Sequence, residues 1–231
     1  LGGLAVSKPK NPTQVGATLL PDSVQDIAVV GSHVYAALGT SGLQVIDVSN
    51  PIHPAVVGTL LTTGTAHRIV VAGNYAYIAA GDGGLRIVDV SNPTNPVEVG
   101  SYRVTGWTVS RVIVNSNYAY LLATGIDPIG DGLVTLNISN PAAPVRTSLA
   151  ETSWYSTDLA VAGSLLVVSY YGCPPPPMSC SFGGMQKFSL VNPAAPSNQG
   201  DFSASGPAVE VAVSGNQAYL GIGGGTGTSA D

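Results

Sequence analysis

Short runs of β-branched and aromatic residues, each four to six long, follow one another along almost the whole chain, separated by Gly, Asn, Asp and Pro. Residues 68–104 show the order most clearly. Arg68-Ile69-Val70-Val71-Ala72 is a first run, and Gly73-Asn74 after it tolerates positive φ and suits a two-residue hairpin loop. Tyr75-Ala76-Tyr77-Ile78-Ala79-Ala80 predicts a second strand, Gly81-Asp82-Gly83-Gly84 a turn, and Leu85-Arg86-Ile87-Val88-Asp89-Val90 a third strand. Asn92-Pro93 opens the next turn, because a residue before proline avoids the helical region and proline presets φ. Val97-Glu98-Val99-Gly100-Ser101-Tyr102 is the fourth strand. No stretch sustains an apolar period of 3.6 residues, so no helix is predicted.

The unit repeats. Ser49-Asn50-Pro51-Ile52-His53-Pro54-Ala55-Val56-Val57-Gly58 returns as Ser91-Asn92-Pro93-Thr94-Asn95-Pro96-Val97-Glu98-Val99-Gly100, and weaker copies start at Ser7, Ser139 and Val191. The first prolines are Pro9, Pro51, Pro93, Pro141 and Pro193, spaced by 42, 42, 48 and 52 residues. Four antiparallel strands in a period of this size make a propeller blade. The second proline of a phrase (Pro54, Pro96, Pro144, Pro196) enters the fourth strand, which proline tolerates at a strand start or on an edge. The fourth strand is therefore expected outermost and the valine-rich first strand innermost.

Gly84-Leu85-Arg86-Ile87-Val88-Asp89-Val90-Ser91-Asn92-Pro93, with Gly73-Asn74-Tyr75-Ala76-Tyr77 before it, resembles the LVIVD repeat. The resemblance covers nearly the whole chain and is strongest in the second and third repeats. It implies a β-propeller of a bacterial or archaeal surface or secreted protein. The family has no agreed activity, so no catalytic residue is carried over.

First strands number five, ending before Gly31, Gly73, Asn115, Gly163 and Gly215. Leu1-Gly2-Gly3-Leu4-Ala5-Val6-Ser7 matches Leu85-Arg86-Ile87-Val88-Asp89-Val90-Ser91 in register, so the chain starts at a third strand, and it reaches a second strand at Tyr219-Leu220-Gly221-Ile222. The expectation is an all-β, single-domain propeller over 1–231, with five four-stranded blades at about 24–62, 66–104, 109–150, 156–204, and 208–222 together with 1–20. Pairing of N- and C-terminal strands in the last blade would close the ring and remove edges that could otherwise pair with other chains. The competing reading is a slice of a longer array.

Composition narrows the setting. Charged residues are 9% of the chain, against about 25% in an ordinary soluble domain. The net charge is −5, and eight Lys and Arg scattered over five repeats make no basic patch for nucleic acid. Mean hydropathy is positive, yet no apolar run approaches the roughly 18 residues of a membrane span. A surface poor in Lys and rich in Ser, Thr, Gly and Asn suits an extracellular or cell-surface protein, with the periplasm as the alternative compartment. Cys173 and Cys180 flank Pro174-Pro175-Pro176-Pro177-Met178-Ser179 in an insertion of the fourth repeat, which reads as a local disulfide.

When the repeats are aligned on their first strands, Asp26, Arg68, Arg111, Asp158 and Glu210 share one column, so all five repeats are charged there in a chain with few charges. On innermost strands the column would converge on the mouth of the channel. It forms either a structural ring, in which each charge satisfies backbone or a neighbour, or a ligand site with a cation such as Ca2+ beside Glu210. Asp47, Asp89, Asn137 and Ser189 share a second column at the end of the third strand and are read as turn-fixing residues; Asn137-Ile138-Ser139 is also a glycosylation sequon. His67, Trp107, Trp154 and Tyr155 lie just before innermost strands, where aromatics either cover the blade cores or stack on a sugar or partner. His33, His53 and His67 have no metal-ligand spacing, and no serine has nucleophile-elbow context.

These features point to a non-catalytic binding or assembly module, with a protein or surface polymer as partner and no cofactor. Two alternatives stand beside it. One is a hydrolase or lyase with a cation-assisted site at the channel mouth, by analogy of fold alone. The other is a lectin-like, carbohydrate-binding module using the aromatic face.

Overall fold

The computed structural model of the chain describes residues 2–5, 13–126, 130–153, 155–172, 182–215 and 217–223, of which 2–5 and 126 as backbone only. All regular structure among them is β. A two-stranded sheet of β1 (Gly2–Ala5) and β2 (Thr13–Ala17) comes first. Four four-stranded antiparallel sheets follow, each ordered as in sequence. They are β3 (Asp26–Val30), β4 (His33–Ala37), β5 (Leu43–Asp47) and β6 (Ala55–Leu60); then β7 (Arg68–Ala72), β8 (Tyr75–Ala79), β9 (Leu85–Asp89) and β10 (Val97–Tyr102). The third holds β11 (Thr108–Asn115), β12 (Tyr118–Ile126), β13 (Gly130–Asn137) and β14 (Val145–Glu151). The fourth holds β15 (Tyr155–Ala162), β16 (Leu165–Gly172), β17 (Phe182–Ser189) and β18 (Ser197–Ala204). A second two-stranded sheet, β19 (Ala208–Ser214) with β20 (Gln217–Ile222), completes the set.

The chain divides into two compact units, residues 1–112 with 141–143, and 113–140 with 144–231. In the first unit one core lies between the first two full sheets, where Tyr35, Ala37, Leu43 and Val45 meet Ile69, Ile78 and Val88. The opposite face of the first sheet buries Val34, Ala36, Leu38 and Ile46 against Leu20 and Val48. In the second unit Tyr120, Leu122 and Leu133 pack on Leu159, Leu166, Val168 and Phe188. The Tyr120 hydroxyl donates to the Pro193 carbonyl at 3.0 Å, and burial, with Tyr118 beside it, pushes its pKa up to about 12.

The first hairpin of each sheet turns as expected. Gly31, Gly73, Gly163 and Gly215 all have φ near +57°, the conformation of a tight primed turn. The third sheet differs: the turn falls on Ser116-Asn117, one residue beyond the position expected from Asn115, and Ser116 takes φ +54° without being glycine.

One feature recurs without a local signal. Where the fourth strand pairs with the third, the register slips by one residue, just before Gly16, Gly58, Gly100, Ser148 and Gly200. The bulge re-aims the strand. The glycine then lies under the next phrase: a Cβ on Gly16 would run into the Pro51 carbonyl oxygen, on Gly58 into that of Pro93, and on Gly100 into that of Pro141. The third sheet carries Ser148 at this position, and its buried hydroxyl has no hydrogen-bond partner.

The terminal hairpins differ from the expected shared blade. β1–β2 and β19–β20 are two separate two-stranded sheets, so Leu4 and Leu220 do not lie in one four-stranded sheet. The pairing that would join them into a fifth four-stranded blade is not among these sheets.

Candidate functional site

The charged column lies on the first strand of each of these sheets: Asp26 and Arg68 open β3 and β7, Arg111 and Asp158 are the fourth residues of β11 and β15, and Glu210 is the third of β19. Asp26 Oδ2 accepts the Ile69 amide at 2.9 Å, and Oδ1 lies 3.5 Å from an Arg68 guanidinium nitrogen. Asp158 Oδ2 accepts the Val211 amide at 3.3 Å. In both cases the aspartate reaches the amide just after the column position of the next innermost strand, β7 from β3 and β19 from β15. One arm of the carboxylate thus ties the first strands of two successive sheets, beside the backbone bridges that Gly39 makes with Ala66 and Gly81 with Val109. Arginine cannot accept an amide proton, and Arg111 instead donates to the Ser110 carbonyl at 3.0 Å. Glu210 is exposed.

This geometry sets an expectation. Asp26→Ala leaves the Ile69 amide without its acceptor and should cost about 1–3 kcal/mol, whereas Asp26→Asn keeps an oxygen in place and should recover part of the loss. Urea denaturation of the three proteins checks it; equal midpoints for wild type and Asp26→Ala would show that the amide bond contributes nothing.

The second column fixes the turns. Asp47 Oδ1 accepts the Ser49 amide and Asp89 Oδ1 the Ser91 amide, both at 2.8 Å. Asn137 Oδ1 accepts the Ser139 amide at 2.9 Å, and Ser189 Oγ the Val191 amide at 3.3 Å. The bond from the Ser49 amide holds the Asp47 carboxyl below its usual range, and the Ser91 hydroxyl and amide do the same for Asp89. The sequon asparagine is thus part of the turn.

The aromatic positions are not alike. His67 is half-buried, its ring against Gly81, and Trp107 is half-buried, its amide donating to the Val104 carbonyl at 3.1 Å. Tyr155 is 52% exposed and stacks on Tyr171 with ring centroids 5.2 Å apart. Trp154, Cys173 and Cys180 lie outside the described residues.

A polar network that the sequence did not single out joins the third and fourth sheets. Asp131 Oδ2 accepts the Ser156 amide at 2.9 Å, and burial raises the Asp131 pKa. The Ser156 and Thr152 hydroxyls are 2.7 Å apart, Gln186 Oε1 accepts the Ser153 amide at 3.1 Å, and the Ser153 hydroxyl donates to Asp201 at 3.2 Å. These residues come from different repeats, so no single motif carries them. Among the described residues no group of three or more His, Cys, Asp or Glu could hold a metal ion. No helix among them is long and apolar enough to cross a membrane.

Solved structures place the fold. The chain superposes with TM-score 0.67 and 14% identity on a functionally unknown protein from Desulfotomaculum acetoxidans DSM 771, over 87% of this chain and 62% of that one. The Myceliophteria thermophila Cps50 (Swd1) β-propeller domain gives TM-score 0.58 at 12% identity, over 87% and 66%. The computationally designed Ika8 protein gives 0.58 at 9% identity, over 90% and 71%. At such identities the likeness shows the fold alone, a β-propeller, and the chain spans about two thirds of the length of these structures. Among curated proteins none matches the sequence. The LVIVD repeat matches residues 21–62, 63–104, 108–152 and 205–226, which is more than half of the chain. On that match, and on sheets that repeat with the same period, the chain belongs to the LVIVD repeat family.

Proposed function

We propose that the protein is a secreted or cell-surface β-propeller, with Cys173 and Cys180 bridged, that works as a non-catalytic binding and assembly module for a protein or surface-polymer partner. Its working form has five blades, and the fifth is built from an inner half of the β19–β20 kind and an outer half of the β1–β2 kind. The observation that carries the reading is the bare apolar surface of β3. On β3, Ile27 and Val29 are 43% and 62% exposed, while Ile69, at the position of Ile27 on β7, is 3% exposed in the core. Exposed apolar surface of this kind takes partners. The channel-mouth column supports the same reading from another side, because Asp26 and Asp158 already hold backbone amides. A lectin-like role draws its support from the exposed Tyr155–Tyr171 stack, whose open ring face suits a sugar.

The test incubates the full chain with insoluble surface polymers (peptidoglycan, cellulose, chitin) and immobilised envelope proteins, and separately with chromogenic glycosides and lactones with and without Ca2+. Retention without turnover is the expected result. Ca2+-dependent turnover lost in Glu210→Gln would overturn the reading in favour of the enzyme.

A further inference from the structure

Asn137-Ile138-Ser139 is the one Asn-x-Ser or Asn-x-Thr of the chain in which x is not proline. Asn11-Pro12-Thr13 and Asn92-Pro93-Thr94 of the repeated phrases are closed to N-glycosylation by their prolines. The turn at the end of β13 does not itself ask for asparagine. In the first two sheets Asp47 and Asp89 hold the same amide with a carboxylate, and in the fourth Ser189 does so with a hydroxyl. All of them accept with oxygen, and asparagine adds only a nitrogen.

That nitrogen takes no part in the turn. Asn137 Oδ1 accepts both the Ser139 amide at 2.9 Å and the Ser139 hydroxyl at 2.7 Å. Nδ2 makes no hydrogen bond among the described residues and is not sealed from solvent. A substituent on Nδ2 leaves a secondary amide whose carbonyl oxygen still holds both bonds. Ser139 is exposed, as are Ser49 and Ser91 at its place in the first two sheets, so the exposure belongs to the phrase.

The surroundings suit a sugar. Tyr118, which opens β12, is the cross-strand partner of Asn137, so the two side chains leave the same face of the third sheet roughly 5 Å apart at Cβ. Tyr118 lines a groove of about 280 Å³ with Ser116, Asn117, Ser164 and Pro193, all within the second unit. Asn115 Nδ2 donates to the Gly163 carbonyl at 3.1 Å and ties the two walls together. The Tyr118 ring packs against the core that holds Tyr120 and Leu166, and its hydroxyl makes no hydrogen bond among the described residues. An aromatic ring beside amides and hydroxyls matches the apolar face and polar rim of a pyranose.

We propose that Asn137 carries an N-linked glycan and that its first sugar lies in this groove against Tyr118. The donor is an oligosaccharide joined to a lipid through diphosphate. Transfer forms a bond between Nδ2 and the anomeric carbon and breaks the bond from that carbon to the departing lipid diphosphate; one Nδ2 proton passes to a base of the transferase. The inference rests on the secreted or cell-surface reading above, where such transfer takes place. The two fail separately, because the test below supplies the compartment itself, whereas that reading is tested by partner retention and turnover.

The full chain is secreted behind a cleavable signal peptide from a eukaryotic cell, and the same chain is made in a bacterium without the transferase. Peptide mass spectrometry should find a glycan on Asn137, lost in Asn137→Asp and Ser139→Ala and kept in Ser139→Thr. Asn137→Asp restores the carboxylate of Asp47 and Asp89, so that variant keeps the turn. Trimmed to a single N-acetylhexosamine, the glycoprotein should melt about 1–4 °C above the bare chain. In Tyr118→Leu the gain should vanish. Leucine stands at the same place in the fourth sheet, where Leu165 pairs with Ser189, so the packing beneath is kept. An unmodified Asn137 in both wild type and Ser139→Thr overturns the proposal. A glycan without the rise in melting temperature, or a rise that survives Tyr118→Leu, also overturns it, by placing the sugar outside the groove.

Discussion

Gly58→Ala is expected to lose about 3 kcal/mol of unfolding free energy, a large cost for one added methyl. The reason is geometric. The added carbon would run into the Pro93 carbonyl oxygen, which is backbone, and the Pro96 ring lies on the same side. Neither is the free end of a flexible side chain, so relief requires the two sheets to separate. That movement opens the core in which Val45 and Leu43 meet Ile78 and Val88. Gly31→Ala is the matched control. It strains a turn residue with φ +57°, yet nothing lies within 4 Å of the new methyl, so only the cost of positive φ applies, about 1 kcal/mol. For a chain of this length each kcal/mol lowers Tm by about 2–4 °C, so thermal melts of both variants separate the effects. If the two variants melt together, the carbonyl over Gly58 is not a rigid joint.

Ile69→Ala and Ile27→Ala make the second comparison. The two isoleucines hold the same position in their repeats and sit on the same kind of strand. Ile69 is buried in the core between the first two full sheets, and its truncation should cost about 2–5 kcal/mol, the transfer term plus the cavity left behind. Ile27 is open to solvent, and its truncation should cost well under 1 kcal/mol in dilute solution. Denaturant midpoints of the two variants give the comparison. Equal losses would mean that β3 is covered within the single chain.

Much of this fold could be read from alternation and turn chemistry. Gly31-Ser32 and Gly73-Asn74 form the loops expected of them, and the residues of the turn column (Asp47, Asp89, Asn137 and Ser189) each accept the amide two residues on. These are local devices, complete within a few residues. What escaped reading acts between repeats. Asp26 finds its amide 43 residues away, and Gly58 its carbonyl 35 residues away. The glycine stood in the phrase from the start, but a strand glycine alone does not reveal which backbone approaches it. Extra residues act locally but have no signal of their own. In the third and fourth repeats they lengthen the central hairpin, so β12 reaches nine residues and β16 and β17 eight each, where the first two sheets have five. The charged column was visible, with satisfaction of backbone as one of its two readings, but which amide each aspartate reaches was not, because that amide lies in the next repeat.

The joint between successive sheets has a consequence for how such a chain changes over generations. It consists of a carbonyl oxygen over a bare α-carbon, after a one-residue slip, and demands only one glycine and one proline-bearing turn from each partner. Duplicating or deleting a whole unit of 42 residues would leave the remaining joints of the Gly16, Gly58 and Gly100 kind with both of their parts. Drift elsewhere in the unit is nearly free, provided that the alternation holds. A chain built on such joints changes its number of units by gain or loss of whole repeats, without redesign of an interface, and the least tolerant position should be the one seven residues after the first proline, where Gly16, Gly58, Gly100 and Gly200 stand and Ser148 is the largest side chain present.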